Sequence, residues 1–372
     1  MSKAKKVRVE LKRNRTKPPR ENDLTKQHGE DSAEDVSQGE RVRTKGDLSR
    51  KRTTIEADAT AVDGLLPGRV LRVQGLYSMV ELEDGRLFRC ALKRLLKTLS
   101  TDERSILTTG DRVRIREAGE LHSGGDGIPE GMIEKVEARR GTLTRSSRRR
   151  EHVLVSNVDQ LLIVISLKQP DLKPYLIDRY IAAAIKGDLA PVVCLNKADL
   201  VDAAEMQPLI GAYAQLGIPT VLTSARTDYG INRLRELLAD RATVFSGQSG
   251  VGKSSLLNAV QPNLALRVRT VSESNDKGRH TTTTAELIKL ETGGWVVDTP
   301  GVRQLQLWDT RPEEIEGYFP DFRPFVPLCG FPDCVHLHET KCAIKRAVQR
   351  RQLSARRYQS YLGLYHGTLE EE

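Results

Sequence analysis

The sequence predicts a multi-domain chain. A small N-terminal β-barrel is followed by a central α/β domain on a mostly parallel sheet, then by C-terminal helices gathered around a metal-type cluster. Three observations predict this. Short alternating β segments crowd residues 65–140, strands and amphipathic helices alternate through 150–310, and three cysteines and two histidines fall between residues 329 and 342. A length of 372 residues suits two to three domains at roughly 150 residues each.

Residues 1–64 come first and predict no fold. Residues 1–20 carry nine Lys or Arg and one acid, and residues 21–40 carry seven acids and one Lys. Neither block has the apolar periodicity that could offset the entropy of ordering, so a charged, disordered tail is expected. The barrel, residues 65–140, follows from strands at Arg69–Val73, Met79–Leu82, Leu87–Cys90, Asp111–Ile115 and Met132–Val136. Glu83–Arg86 supplies a hairpin turn, and the glycine-rich Ser123–Gly127 joins the last two strands. Five short strands in so compact a segment suggest an OB-type barrel. The stretch 139–150 then carries six arginines (Arg139, Arg140, Arg145, Arg148, Arg149 and Arg150) and no acid, which suits a nucleic-acid module.

In the central segment, strands are expected at Gln160–Ser166, Pro191–Leu195, Pro219–Thr223, Thr243–Phe245 and Trp295–Val297. Helical patterns at Tyr175–Lys186, Ala203–Leu216 and Ile231–Ala239 lie between them. Residues 311–372 hold the Cys/His cluster and a basic helical stretch, Ala343–Tyr365.

Composition narrows the function. Fifty-nine Lys and Arg against 50 Asp and Glu leave +9, a surplus that favours a polyanionic partner. No run approaches the ~18 apolar residues of a membrane span, and the basic N-terminus has no apolar core of a secretory signal behind it. Five cysteines in such a chain make a disulfide scaffold improbable. A cytoplasmic protein that does not enter membranes is expected.

Gly247-Gln248-Ser249-Gly250-Val251-Gly252-Lys253-Ser254 is a full G-x-x-x-x-G-K-S match between an expected strand and the helical run Ser254–Val260. Its glycines let backbone N–H groups curl around phosphate oxygens, and the helix N-terminus adds partial positive charge. Lys253 is placed to reach the β- and γ-phosphates, and Ser254 to hold magnesium. Asn196-Lys197-Ala198-Asp199 follows a buried strand and matches the N-K-x-D guanine motif. The Asp199 carboxylate would accept from the N1–H and the 2-amino group of guanine, a pair that adenine lacks. Ser224-Ala225-Arg226, after the next strand, fits the companion loop whose backbone N–H groups meet the guanine O6, with Ser224 and Ala225 as its GTP contacts. Asp298-Thr299-Pro300-Gly301 matches D-x-x-G, with Asp298 reaching magnesium through water. Gly278–Thr283 lies between that element and the P-loop and fits a switch loop, with Thr282 favoured among its threonines as the magnesium contact.

The order is unusual. N-K-A-D stands ahead of the P-loop, whereas ordinary GTPases run P-loop, switch I, D-x-x-G, N-K-x-D. A circular permutation keeps the same sheet and moves the termini. Beyond it, Cys329, Cys334, His336 and Cys342 have the spacing of a closed, structural zinc site, with His338 an alternative fourth ligand. Cys90 and Cys194 sit in apolar strands and are expected to pack in cores.

Together these residues resemble the circularly permuted, ribosome small-subunit-dependent GTPases. The resemblance covers residues ~65–365 and implies late maturation of the 30S subunit, with GTP hydrolysis to GDP stimulated by the ribosome. It implies that the barrel and the zinc domain hold 16S rRNA. It also carries GTP contacts onto Asn196–Asp199 and Gly247–Ser255, Ser255 included, and one structural Zn2+ per chain onto Cys329, Cys334, His336 and Cys342. Mg2+ accompanies the GTP, and a monomer is expected.

Val302 follows D-T-P-G where many GTPases place a water-orienting glutamine. A valine can neither donate nor accept, so slow intrinsic hydrolysis is expected. His280, in the switch loop, is the candidate that orients water; its alternative is a loop histidine that bonds only backbone. A competing function is an RNA-binding assembly factor in which GTP acts mainly as a conformational lock. An ATPase of metabolism or transport is disfavoured by N-K-A-D.

Overall fold

A computed structural model describes residues 64–93, 106–118, 127–147, 150–262, 285–298 and 312–367. Every described residue belongs to one compact unit, residues 62–372. The charged tail through residue 63 and the Ser123–Asp126 part of the glycine-rich loop lie outside the described residues.

The barrel forms from β1 (Leu66–Gln74), β2 (Tyr77–Leu82), β3 (Leu87–Leu92), β4 (Arg112–Glu117) and β5 (Glu130–Val136). Its order is β1-β2-β3-β5-β4, and β4 pairs back onto β1 to close it. Strand alternation turns Val70, Val80, Phe88, Val113, Ile115 and Ile133 inward as one core. Cys90 belongs to that core, as its apolar strand predicts, and burial pushes its thiol up to about 12.

Barrel and α/β domain meet at a tight seam. A Cβ at Gly110, where φ is +90°, would lie 2.0 Å from the Ser156 carbonyl oxygen, so only glycine permits this approach. Beside it the buried Asp111 carboxylate accepts from Arg139 Nε at 2.8 Å and Nη2 at 2.9 Å, and from the Ser156 hydroxyl at 2.6 Å. Arg139 is therefore an internal clamp and not one of the free cations that the basic segment 139–150 suggests. That segment also contributes to a hairpin the sequence pattern does not announce, β6 (Leu143–Ser147) with β7 (Arg150–Val155).

The central sheet has six strands in the order β10-β9-β8-β11-β13-β12 once its members are named in chain order. They are β8 (Gln160–Ser166), β9 (Ala190–Asn196), β10 (Thr220–Thr223), β11 (Ala242–Ser246), β12 (Glu286–Lys289) and β13 (Trp295–Asp298). All neighbours are parallel except β12, an antiparallel edge strand that sequence reading does not anticipate. Buried on both faces, β8 reads as a continuous apolar run. Its Leu161, Ile163 and Ile165 pack with α1 (Pro174–Lys186) and α2 (Gln207–Ala214) on one side. Leu162 and Val164 pack with α3 (Ile231–Leu238) and α4 (Lys253–Val260) on the other. The expected helix over Ala203–Leu216 begins as a 3-10 turn, Ala203–Met206, before α2. Pro208, which has no N–H to donate, falls in the first turn of α2 and marks the change.

The C-terminal segment holds α5 (Pro312–Ile315), α6 (Ala343–Gln349) and α7 (Ala355–His366) around a core of Phe319, Phe322 and Tyr361. The expected single stretch Ala343–Tyr365 is thus two helices. Arg351 takes a left-handed φ of 59°, and Ser354 caps the next helix by accepting from the Arg357 N–H. Among the described residues no helix is long and apolar enough to cross a membrane.

Candidate nucleotide site and metal centre

Three loops leave the carboxyl ends of the parallel strands β9, β10 and β11, with β8 between β9 and β11, at the edge where open α/β sheets bind ligands. The P-loop runs from Gly247 to Gly252, between β11 and α4. Gly247 sits at φ +149°, and a Cβ there would approach the Val164 carbonyl oxygen to 2.1 Å. Gly250 and Gly252 have φ of 80° and 95°. Lys253 arches back over the loop, its Nζ donating to the carbonyls of Gly247 and Gln248 at 2.7 Å each. Ser249 and Ser254 are exposed, Gln248 and Ser255 are half-buried, and Val251 packs into the core under α4.

Asn196 ties this loop to the N-K-A-D turn. Its buried carboxamide donates to the Val251 carbonyl at 2.8 Å and accepts from the Thr223 hydroxyl at 3.2 Å. The two motifs, distant and permuted in sequence, therefore share one sheet edge. Lys197 adopts φ 63° and donates to the Gln169 carbonyl, turning the chain into the short 3-10 segment Ala198–Leu200. That segment carries Asp199. One Asp199 oxygen accepts from the Ser224 hydroxyl at 2.6 Å, and the other faces Arg226 at 2.9 Å. The Ser224 bond, then burial working against it and the Arg226 charge, leave the Asp199 carboxyl below the usual carboxylate range. Asp199 is held ionised and can only accept hydrogen bonds. Ala225 lies half-buried next to Ser224. Arg226 closes the companion loop Ser224-Ala225-Arg226, and its pairing with Asp199 is what the sequence does not show.

β13 runs parallel beside β11, with Val297 opposite Val244, so the strand that ends at Asp298 runs to the same sheet edge as the strand that leads into the P-loop. The backbone of Asp298 ends that strand, paired with Glu286. Its side chain, His280, Thr282 and the segment Thr299–Val302 lie outside the described residues. Cys194, two residues before the end of β9, is fully buried against the Thr223 hydroxyl at 3.2 Å.

In the C-terminal segment, ligand atoms of Cys329, Cys334, His336 and Cys342 all lie within 4.8 Å of one another. The His336 Nδ1 is 3.7 Å from the Cys329 sulfur and 3.4 Å from the Cys342 sulfur. Zn–S and Zn–N bonds of about 2.3 and 2.1 Å at a tetrahedral centre place such atoms about 3.6–3.8 Å apart. The donor set fits zinc in chemistry, and the two His336–sulfur distances lie near that spacing. His338 is exposed and outside the cluster, which leaves His336 as the imidazole. Burial pushes the Cys334 thiol up to about 12 and the Cys342 thiol upward as well, so a bound cation is what would hold them as thiolates.

The shell around the cluster is built for it. Glu316 meets the far ring nitrogen of His336 at 2.9 Å, the carboxylate partner typical of a metal-bound imidazole. Tyr358 and Tyr361 donate to the carbonyls of His336 and Val335 at 2.6 and 2.8 Å. Glu339 accepts from the N–H groups of Val335 and Leu337 at 2.8 and 2.9 Å.

A buried ionic cluster joins this segment to the α/β domain. Arg357 on α7 donates to Asp178 on α1 at 2.8 Å and to Asp321 at 2.6 and 3.1 Å. Asp178 also accepts from the hydroxyls of Ser360, at 2.6 Å, and Tyr213, at 3.0 Å. Burial works against the guanidinium charge, but Asp321 and Asp178 outweigh it and hold Arg357 protonated. Arg357 is one of the seven Lys and Arg in the basic stretch 341–357, and it too faces inward.

Residues 136–308 match the family described as RsgA GTPase. The chain is 38% identical over 298 residues to the small ribosomal subunit biogenesis GTPase RsgA of Thermotoga petrophila, covering 78% of this chain and 94% of that one. The corresponding protein of Moorella thermoacetica is 39% identical over 297 residues, covering 80% and 95%. The crystal structure of YjeQ from Thermotoga maritima superposes with a TM-score of 0.66 at 33% identity, over 83% of this chain and all 100% of that chain. YloQ, described as a circularly permuted GTPase, gives 0.63 at 28% identity, over 85% and 99%.

Proposed function

The chain belongs to the RsgA GTPase family, and from that premise we propose that it hydrolyses GTP to GDP and phosphate on the small ribosomal subunit during its biogenesis. The observation that carries this reading is the Asn196 carboxamide. By bonding the Val251 carbonyl at 2.8 Å it makes the P-loop and the N-K-A-D turn one site despite their reversed order.

Within that site Asn196, Lys197, Ala198 and Asp199, with Ser224 and Ala225, would receive guanine. Asp199 accepts from two guanine N–H groups, and adenine, which lacks that donor pair, would forgo hydrogen bonds to a charged group worth about 1.5–3 kcal/mol each. Gly247–Ser255 would cradle the phosphates. Lys253 would exchange its loop carbonyls for phosphate oxygens, a bond between full charges in place of one to neutral dipoles. Ser254, Thr282 and Asp298 would hold Mg2+, which when bound neutralises charge developing on the phosphates. His280 would orient the attacking water that Val302 cannot. Cys329, Cys334, His336 and Cys342 would hold one structural zinc ion, and the basic surfaces would meet 16S rRNA. The protein would act as a cytoplasmic monomer.

Phosphate release from GTP and from ATP, each with magnesium, tests the assignment. Turnover confined to GTP is expected. Equal turnover of ATP, or none of GTP with or without small subunits, overturns it.

A further inference from the structure

The barrel grips one structural element of the nucleotide domain, the hairpin β12–β13. Thr109 donates its hydroxyl to the Ala285 carbonyl at 2.8 Å, at the entry to the hairpin. Arg72 on β1 pairs with Glu286 at 3.5 Å, and Glu81 on β2 pairs with Lys289 at 3.0 Å. Trp295, which opens β13, is flanked by two cations. The Arg69 guanidinium from β1 lies 5.4 Å from its ring centre and the Lys289 ammonium 5.3 Å. Arg69 is anchored in turn, donating to the Asn157 carbonyl at 2.5 Å, while its buried Nε finds no hydrogen-bond partner among the described residues. The π-face of Trp295 thus joins the Asn157 carbonyl and the Asp159 and Glu81 charges in compensating a desolvated cation.

The hairpin's place in the chain gives these contacts meaning. It begins four residues after Thr282 and ends at Asp298, so the two magnesium candidates outside the P-loop bracket it. β12 is an edge strand with no neighbour beyond it in the sheet, and β13 is its sole sheet partner among the described strands. The barrel therefore supplies support that the sheet does not. The buried Asp111–Arg139–Ser156 seam fixes the barrel independently to the rest of the domain, so the barrel works against a firm base.

Resting on the GTPase reading above, we infer that Trp295, with Arg69, Lys289, Glu81, Arg72 and Glu286, forms a positioning contact through which RNA bound on the barrel sets the nucleotide site for hydrolysis. None of these residues touches the P-loop or the N-K-A-D turn in the contacts described above. They act through the placement of the hairpin and not through bonds to GTP. Loss of the contact should leave nucleotide and subunit binding intact while uncoupling one from the other.

The test uses the full chain, GTP and purified 30S subunits. Trp295→Leu should keep the GTP KM, the turnover without subunits and the 30S affinity. It should lower the 30S-stimulated kcat by about three- to tenfold, while Trp295→Phe, which keeps a ring between the cations, retains most of the stimulation. Because Trp295→Leu could loosen the core, the Glu81–Lys289 pair, whose lysine is exposed, supplies a second readout. Glu81→Lys and Lys289→Glu should each reduce stimulation, and the double reversal should restore it. Full stimulation in Trp295→Leu and in both single reversals overturns the inference, as does a double reversal no better than the singles. Absence of stimulation in the wild type instead fails the underlying reading and takes this inference with it.

Discussion

Replacing Arg357 by Ala should be among the costliest single changes in the C-terminal half. Asp178 is fully buried and Arg357 nearly so, at 0% and 4% side-chain exposure, and their oxygen and nitrogen stand 2.8 Å apart. Truncating one partner of such a pair strands the other charge in a poorly solvated site, a loss of about 3–5 kcal/mol. Asp178 keeps the hydroxyls of Ser360 and Tyr213, and Asp321 lies at the edge of the cluster, so the lower end, about 3 kcal/mol, is expected. Asp178→Asn should cost less, because the amide oxygen still accepts. The double change should cost less than the sum of the singles, since both remove the same contact. Urea unfolding with zinc present measures the loss, and hydrogen exchange should locate it in α1 and α7. Arg356→Ala, an exposed neighbour, should stay within about 0.5 kcal/mol of wild type. If Arg357→Ala matched that control, the cluster would contribute nothing to holding the two segments together.

Other consequences follow from the same geometry. Asp199→Asn should weaken GTP binding and raise binding of xanthosine triphosphate, whose C2 carbonyl accepts from the new amide; titration with labelled nucleotides would show the crossover. One zinc per chain should be found by elemental analysis, and its removal or Cys334→Ala should expose residues 312–367 to hydrogen exchange while GTP binding persists. His280→Ala should remove most of the subunit-stimulated turnover and leave GTP affinity nearly unchanged, whereas Val302→Ala should do little; single-turnover kinetics on 30S subunits distinguish these.

The parts legible in the sequence are those whose chemistry is local. G-x-x-x-x-G-K-S and N-K-A-D each need a strand, a turn and a few side chains, so their spacing alone carries the signal. The zinc set is equally compact, with Cys329 and Cys342 thirteen positions apart. What stayed hidden is long-range. Asp111 and Asp178 look like ordinary surface acids until the fold brings Arg139 and Arg357 to them. Those two arginines in turn inflate the basic stretches 139–150 and 341–357 as sequence presents them. The edge strand β12 carries too short an alternation to announce itself, and its meaning comes only from its barrel contacts. Glu316 becomes visible as a partner of His336 only because the chain returns twenty positions later.

GTP turnover by the purified chain, measured alone, with 30S subunits and with 50S subunits at the same salt, tests the central claim most directly. Slow hydrolysis alone, a large rise with 30S and little change with 50S are expected, with the rise falling as salt screens the phosphate contacts. A rate unchanged by 30S subunits that demonstrably bind the protein would contradict it, and would leave GTP as a conformational lock on an RNA-holding factor.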